Sequence, residues 1–360
     1  MIIYLDTNIF YKNWYFDNPH FKYLFNFINN EGHTLLISKL VIQEIENIRN
    51  REIKSTLEDI NKCMEFLNKR LLHNVKFDDS AIINQKYDFK ELVKKFIDYS
   101  NITILDYSDV EQEEVVEKAL YLKKPFQEEE KGYRDTMIWL SLLAFVKTNN
   151  IEEEVIFISS NKNDFFEKKK KSVTFHSDLL EDINKKQITA QITPYETLFS
   201  FVKSTIDEGL HSFDHTNPDF EHYLEILGEE YLGTFDYRGE MFNFKSGVFT
   251  IKFSQILNVH VDMFEGMEDP EVLGAKKLNE ESVYVNFKYN LRRVTLTLEI
   301  LKEEYFKYKD EILNNFYNVE FQEETVLIST VIRPYFDVSF IYNPLQEEVN
   351  DYSVDYLYIG

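Results

Sequence analysis

Apolar residues fall in two textures along the chain. In residues 1–200, short apolar runs alternate with stretches of helical spacing. The runs Ile2–Leu5, Thr34–Ile37, Ile102–Leu105 and Val155–Ser159 read as buried strands. Helical patterns lie between them, at Ser38–Lys69, Tyr87–Ser100, Glu111–Leu122 and Tyr133–Thr148. Such alternation predicts an α/β unit with a parallel sheet and crossover helices. Ser172–Glu196 is expected to add one short strand and two short helices, and Asp78–Gln85 and Gln127–Lys131 read as loops.

The texture shifts around Thr205–Pro218. A short helical piece follows at Asp219–Tyr231. Beyond it, Val248–Val261, Ser282–Leu301, Thr325–Tyr342 and Ser353–Ile359 are rich in β-branched and aromatic residues. Turn signals at Lys245-Ser246-Gly247 and Asn343-Pro344 separate some of these runs, and Glu303–Asn315 reads as an intervening helix. The pattern predicts two domains, residues 1–200 and 201–360, the second mainly antiparallel β.

Chemistry enters where polar residues interrupt this pattern. Asp6 ends the first apolar run, which places it at the C-terminal edge of the sheet, where α/β folds build their sites. In the helix beginning near residue 40, Val41, Ile45 and Ile48 form one apolar face. Glu44 falls within that stripe, whereas Glu46 falls off it and reads as a solvated charge. A carboxylate on an apolar stripe is either a defect or a site residue, because an unpaired buried carboxylate is costly. Asp135 opens a similar stripe, Ile138, Trp139, Leu142, Leu143 and Val146, so it is a helix cap or a ligand. After the run ending at Ser159, either Asn161 or Asp164 could reach the same edge; both residue types also form ordinary turns. Carboxylate-like groups gathered at one edge suit a hard cation such as Mg²⁺, which favours oxygen ligands. Such ions activate water and stabilise a departing oxygen in phosphodiester cleavage.

Together these segments resemble the PIN-domain nucleases. The resemblance rests on Asp6-Thr7-Asn8 after an N-terminal strand, Glu44 within Val-Ile-Gln-Glu-Ile, Arg134-Asp135-Thr136 opening an apolar helix, and Ser159–Phe165 after a strand. It covers about residues 1–200 and implies a three-layer α/β/α fold, bound Mg²⁺ or Mn²⁺, and cleavage of RNA. Carried over, Asp6, Glu44 and Asp135 are the metal-binding, catalytic acids, with Asp164 as the fourth or Asn161 in its place. Thr7 and Asn8 support the first acid. The stretch from Arg49 to Lys131 is longer than in small members of the family, and residues 201–360 lie outside the resemblance.

Charge refines the choice of partner. The net charge is −23, but residues 1–200 carry 27 Lys and Arg against 33 Asp and Glu, whereas residues 201–360 carry 13 against 30. Nucleic acid is therefore expected at the first domain, and RNA ahead of DNA is what the resemblance implies. The acidic second domain is expected to regulate the first, to recruit a protein or to self-associate. Arg134, Lys168, Lys169 and Lys170 are candidate phosphate contacts, although a lysine run is also an ordinary solvated face. A DNA endonuclease and a catalytically silent binding module are the alternatives. One cysteine fits a reducing compartment, no basic leader is visible and no apolar run is long enough to span a bilayer, so a cytoplasmic protein is expected. No Cys/His cluster has zinc spacing, and no glycine pattern matches a phosphate-binding loop.

Overall fold

The computed structural model describes residues 1–73, 75–128, 131–169, 172–206, 218–244 and 247–359. The chain divides into two units, Met1–Thr205 and Ile206–Gly360. The first unit runs β1 (Ile2–Leu5), α1 (Thr7–Phe10), α2 (Pro19–Glu31), β2 (Thr34–Ser38), α3 (Lys39–Asn68), α4 (Ser80–Ile83), α5 (Phe89–Val93), β3 (Ile102–Leu105), α6 (Gln112–Leu120) and α7 (Tyr133–Thr148). It continues with β4 (Val155–Ile158), α8 (Lys162–Phe165), β5 (Phe166–Lys169), β6 (Ser172–Phe175), α9 (Ser177–Lys185), β7 (Ile192–Tyr195) and α10 (Leu198–Thr205).

Five strands form a parallel sheet in the order β3-β2-β1-β4-β7, flanked by helices, so the unit is α/β as expected. Burial follows position. The central strands β1 and β4 are buried throughout, which is why Ile2–Leu5 and Val155–Ile158 read as unbroken apolar runs. Pro194 is tolerated in β7 because that strand is an edge. The chain first builds outward from β1 to β3, then crosses back to β4. This reversal creates a switch point between β1 and β4, where α/β sheets open a crevice beyond their strand ends.

Four expectations need correction here. Pro19–Glu31 is a helix that the pattern did not announce. Tyr87–Ser100 is α-helical only over Phe89–Val93, with a 3₁₀ turn at Tyr99–Asn101. There the Asn29 side chain donates to the Phe96 carbonyl and accepts from the Asp98 amide, replacing the bonds a longer helix would need. Asp78–Gln85 contains the short α4, and Ser172–Glu196 holds two strands and one helix.

The second unit runs α11 (Pro218–Thr234), β8 (Met241–Phe244), β9 (Gly247–Thr250), β10 (Asn258–Asn279), β11 (Ser282–Leu301), α12 (Lys302–Lys307), α13 (Lys309–Asn315), β12 (Asn318–Phe321), β13 (Thr325–Ile332), β14 (Pro334–Asn343) and β15 (Glu348–Ile359). Its antiparallel sheet runs β12-β13-β11-β14-β15, with β10 also on β11. Along β11 the side chains that enter the hydrophobic core are those at 283, 285, 287, 289 and 291, then 294, 296, 298 and 300. The change of parity falls at Arg292-Arg293, both exposed, between the stretch paired to β14 and the stretch paired to β13. An irregularity there keeps one face on the core through a one-residue slip that would otherwise turn it outward. The acidic stretch 262–279, not expected as strand, belongs to β10, and residues 251–257 interrupt the expected Val248–Val261 run. The Lys245-Ser246-Gly247 turn falls partly outside the described residues.

Candidate active site

Asp6 directly follows β1 and caps α1, accepting from the Thr7 amide at 2.7 Å. Its second oxygen accepts from Asn8 Nδ2 at 2.7 Å and from Ser159 Oγ at 2.6 Å. Ser159 arrives on the neighbouring strand's end, because β4 pairs directly with β1. Asn8 in turn accepts from the Ser160 amide at 2.8 Å. Three donors thus orient a carboxylate that is only 2% exposed, leaving roughly one of its four acceptor directions open.

Glu44 sits one turn into α3, which starts at the C-terminal end of β2 under a Ser38 cap. Its Oε2 accepts from Thr7 Oγ1 at 2.7 Å, and its Oε1 pairs with the Arg134 guanidinium. Asp135 occupies the first turn of α7, whose N-cap is Gly132, so it is not the cap. Gly132 is left-handed at φ 94, and a Cβ there would run into the Pro125 carbonyl. The Tyr4 hydroxyl donates to the Ile138 carbonyl at 2.9 Å, tying α7 to β1.

Asp6, Glu44, Asp135 and Asn161 line one cleft of about 320 Å³, together with Thr7, Arg134 and the unforeseen Tyr11, Trp14 and Arg51. Asp164, 4% exposed, is absent from that lining. It pairs with Gln127 and lies 3.6 Å from Lys124 Nζ. Lys168 and Lys169 lie on β5, and Lys170 falls outside the described residues. Ser159 and Arg51 were legible in principle: one ends a buried strand, and the other lies seven residues beyond Glu44 on one helix face.

Electrostatics mark this cleft. Burial, and next the charge of Asp135, push Asp6 up to about 7, against the hydrogen bonds from Ser159 and Thr7. Burial, then the charges of Asp164 and Glu44, push Asp135 up to about 6, partly offset by Asn161 and Arg134. Asp164 therefore acts on the cleft through its charge. Among the described residues, no three His, Cys, Asp or Glu side chains form a ready ligand set. Glu44 has both oxygens engaged by Thr7 and Arg134. The donors lining the cleft are nevertheless oxygens, without His or Cys, and this chemistry fits a hard cation.

Residues 3–165 match the family model of the PIN domain, a nuclease family that generally uses divalent metal ions. No curated protein and no solved structure matches the chain.

Proposed function

We propose that this protein is a metal-dependent endoribonuclease whose acids at the β1–β4 switch point hold Mg²⁺ or Mn²⁺. The observation that carries this reading is the meeting of Asp6, Glu44 and Asp135 in one cleft, with Asp6 raised by burial and by Asp135, and Asp135 raised by burial and by Asp164 and Glu44. Asp6 and Asp135 would hold the ion, joined by Glu44 once Arg134 releases it. A bound divalent ion lowers the pKa of water and neutralises charge on the phosphate. Thr7, Asn8 and Ser159 fix the orientation of Asp6, and Asn161 does the same for Asp135. Arg134, exposed at the cleft rim, is placed to receive a phosphate oxygen.

The second unit is proposed to regulate or target the first rather than to grip the substrate. All four arginines of residues 201–360, Arg238, Arg292, Arg293 and Arg333, pair with carboxylates. The nine lysines that remain stand among 30 acids, a balance that disfavours counterion release on phosphates.

The test is incubation of the full chain with end-labelled single-stranded RNA and DNA, with Mn²⁺ or EDTA. Internal cleavage of RNA with Mn²⁺ and none in EDTA is expected. Intact RNA and DNA under both conditions would overturn the reading; cleavage of DNA alone would replace RNA by DNA. A subtler effect is expected from Ser159→Ala. Ser159 donates to Asp6 and lowers its pKa. Its loss should move the rising limb of the pH–rate profile upward by roughly one unit, about a fivefold loss at pH 7 that falls below about twofold above pH 8. A uniform loss at every pH would show that Ser159 acts otherwise.

A further inference from the structure

The acid cleft is walled on one side by aromatic rings. Tyr11 is 45% exposed, and Trp14 is half-buried beside it. The two rings meet edge to face at 5.9 Å, with Lys12 Nζ 5.7 Å from the Tyr11 ring centre. Trp14 also lines a second, mainly apolar groove of about 320 Å³ along α3, shared with Tyr15, Arg49 and Ile53. Tyr15 is 43% exposed and is held by Arg49, which donates to its hydroxyl at 3.1 Å. Arg49 itself stacks on Tyr87, 4.4 Å from the ring centre, so the wall is braced from behind.

We infer that Tyr11, Trp14 and Arg51 form a base-stacking subsite that carries a single-stranded nucleic acid from the acid cleft along α3. This inference rests on the nuclease reading of the acids. Exposed rings beside a reactive cleft offer flat apolar faces to unpaired bases, a contact open to any base but closed to a duplex whose bases are stacked inside. Arg51 lines the acid cleft and makes no ion pair among the described residues, so its guanidinium is available to a phosphate or a base face. Glu52, bonded to the Tyr11 hydroxyl, and Glu44 keep this wall from being strongly basic. Stacking, rather than counterion release, therefore carries most of the affinity, which should fall only weakly with salt. An apolar peptide would suit the second groove but has no use for Arg51 or for continuity with the acids.

The test uses the full chain carrying Asp6→Asn, so that substrate is bound without being cut. Labelled ten-residue single-stranded RNA and DNA, a duplex of the same length and an abasic oligomer are titrated by anisotropy. Trp14 emission is followed in parallel, since Trp139, the other tryptophan, is fully buried. Single strands should quench Trp14. Adding Tyr11→Ala or Trp14→Ala should weaken their binding roughly 5- to 150-fold, to the level of the abasic oligomer. The duplex should bind no better than the abasic oligomer. Binding of the abasic oligomer as tightly as the strand with bases would overturn the inference. So would affinities within twofold of the parent in both aromatic variants, or no binding at all. If wild type cleaves RNA while both aromatic variants bind normally, the subsite fails and the nuclease reading stands. If Trp14 is quenched but wild type never cleaves, the reverse holds.

Discussion

Asp6→Asn in the full chain is expected to reduce cleavage by roughly 10³-fold, about 4 kcal/mol of transition-state stabilisation, while leaving the fold intact. The same substitution should change stability with a sign that depends on pH. In the folded protein Asp6 keeps its proton up to about pH 7, against an ordinary value of 3.8. Between these values the native state binds more protons than the unfolded one, so the wild type loses stability as pH rises. The penalty begins near pH 4 and is complete above pH 7. A neutral side chain removes it, but Asn places an amide where Thr7, Asn8 and Ser159 all donate, which costs about 1–3 kcal/mol. At pH 8 without divalent ions, the variant should be more stable by about 1–3 kcal/mol; at pH 5 it should be equal or less stable. Thermal unfolding across that range in EDTA checks the sign. A variant destabilised equally at both pH values would show that Asp6 carries no penalty. Mn²⁺ should raise the melting temperature of the wild type and not of the variant.

Phe157→Ala is expected to cost the first unit about 3–5 kcal/mol. Phe157 lies in the central strand β4 and is fully buried. Its ring meets Tyr4, Trp139, Phe165, Phe166 and Phe175, with centroids 4.9 to 6.2 Å away. Truncation removes burial and leaves a cavity that a rigid sheet cannot close. Because β4 also delivers Ser159 to Asp6, activity should decline with folding. Both tryptophans, Trp14 and Trp139, lie in the first unit, so their fluorescence in a urea titration reports that unit alone. A shift worth less than 1 kcal/mol would mean that the cluster packs loosely.

What the sequence disclosed depended on how locally each feature is encoded. Ile2–Leu5, Ile102–Leu105 and Tyr133–Thr148 were legible to the residue, because a short apolar run or an apolar helical stripe is encoded locally. Pro19–Glu31 was not, because its buried Phe21, Tyr23, Leu24, Phe25, Phe27 and Ile28 leave only a narrow polar stripe of Lys22, Asn26 and Asn29 to set a phase. The Asn18 cap, Pro19 and Gly32 still marked its ends. Strand β10 was hidden by Asp262, Glu265, Glu268, Asp269 and Glu271. These are poor strand formers, and pairing with β11 together with ion pairs to Arg292, Arg293 and Arg333 overrides that preference.

Asp6, Glu44 and Asp135, which share the cleft, were legible as interruptions of an apolar pattern, after a strand or in the first turns of a helix. Their surroundings were not. The pairing of Glu44 with Arg134 joins positions 90 residues apart. The retreat of Asp164 to Lys124 and Gln127 depends on the loop before α7. Tyr11 and Trp14 reach the cleft only because the chain turns back after α1, which no periodicity announces.

Anomalous diffraction from crystals soaked in Mn²⁺ tests the cation site most directly. A peak between the Asp6 and Asp135 carboxylates, with Glu44 turned from Arg134 toward it, is the expected result. Full occupancy by Mn²⁺ elsewhere in the chain, with Asp6 and Asp135 unliganded at pH 8, would contradict it.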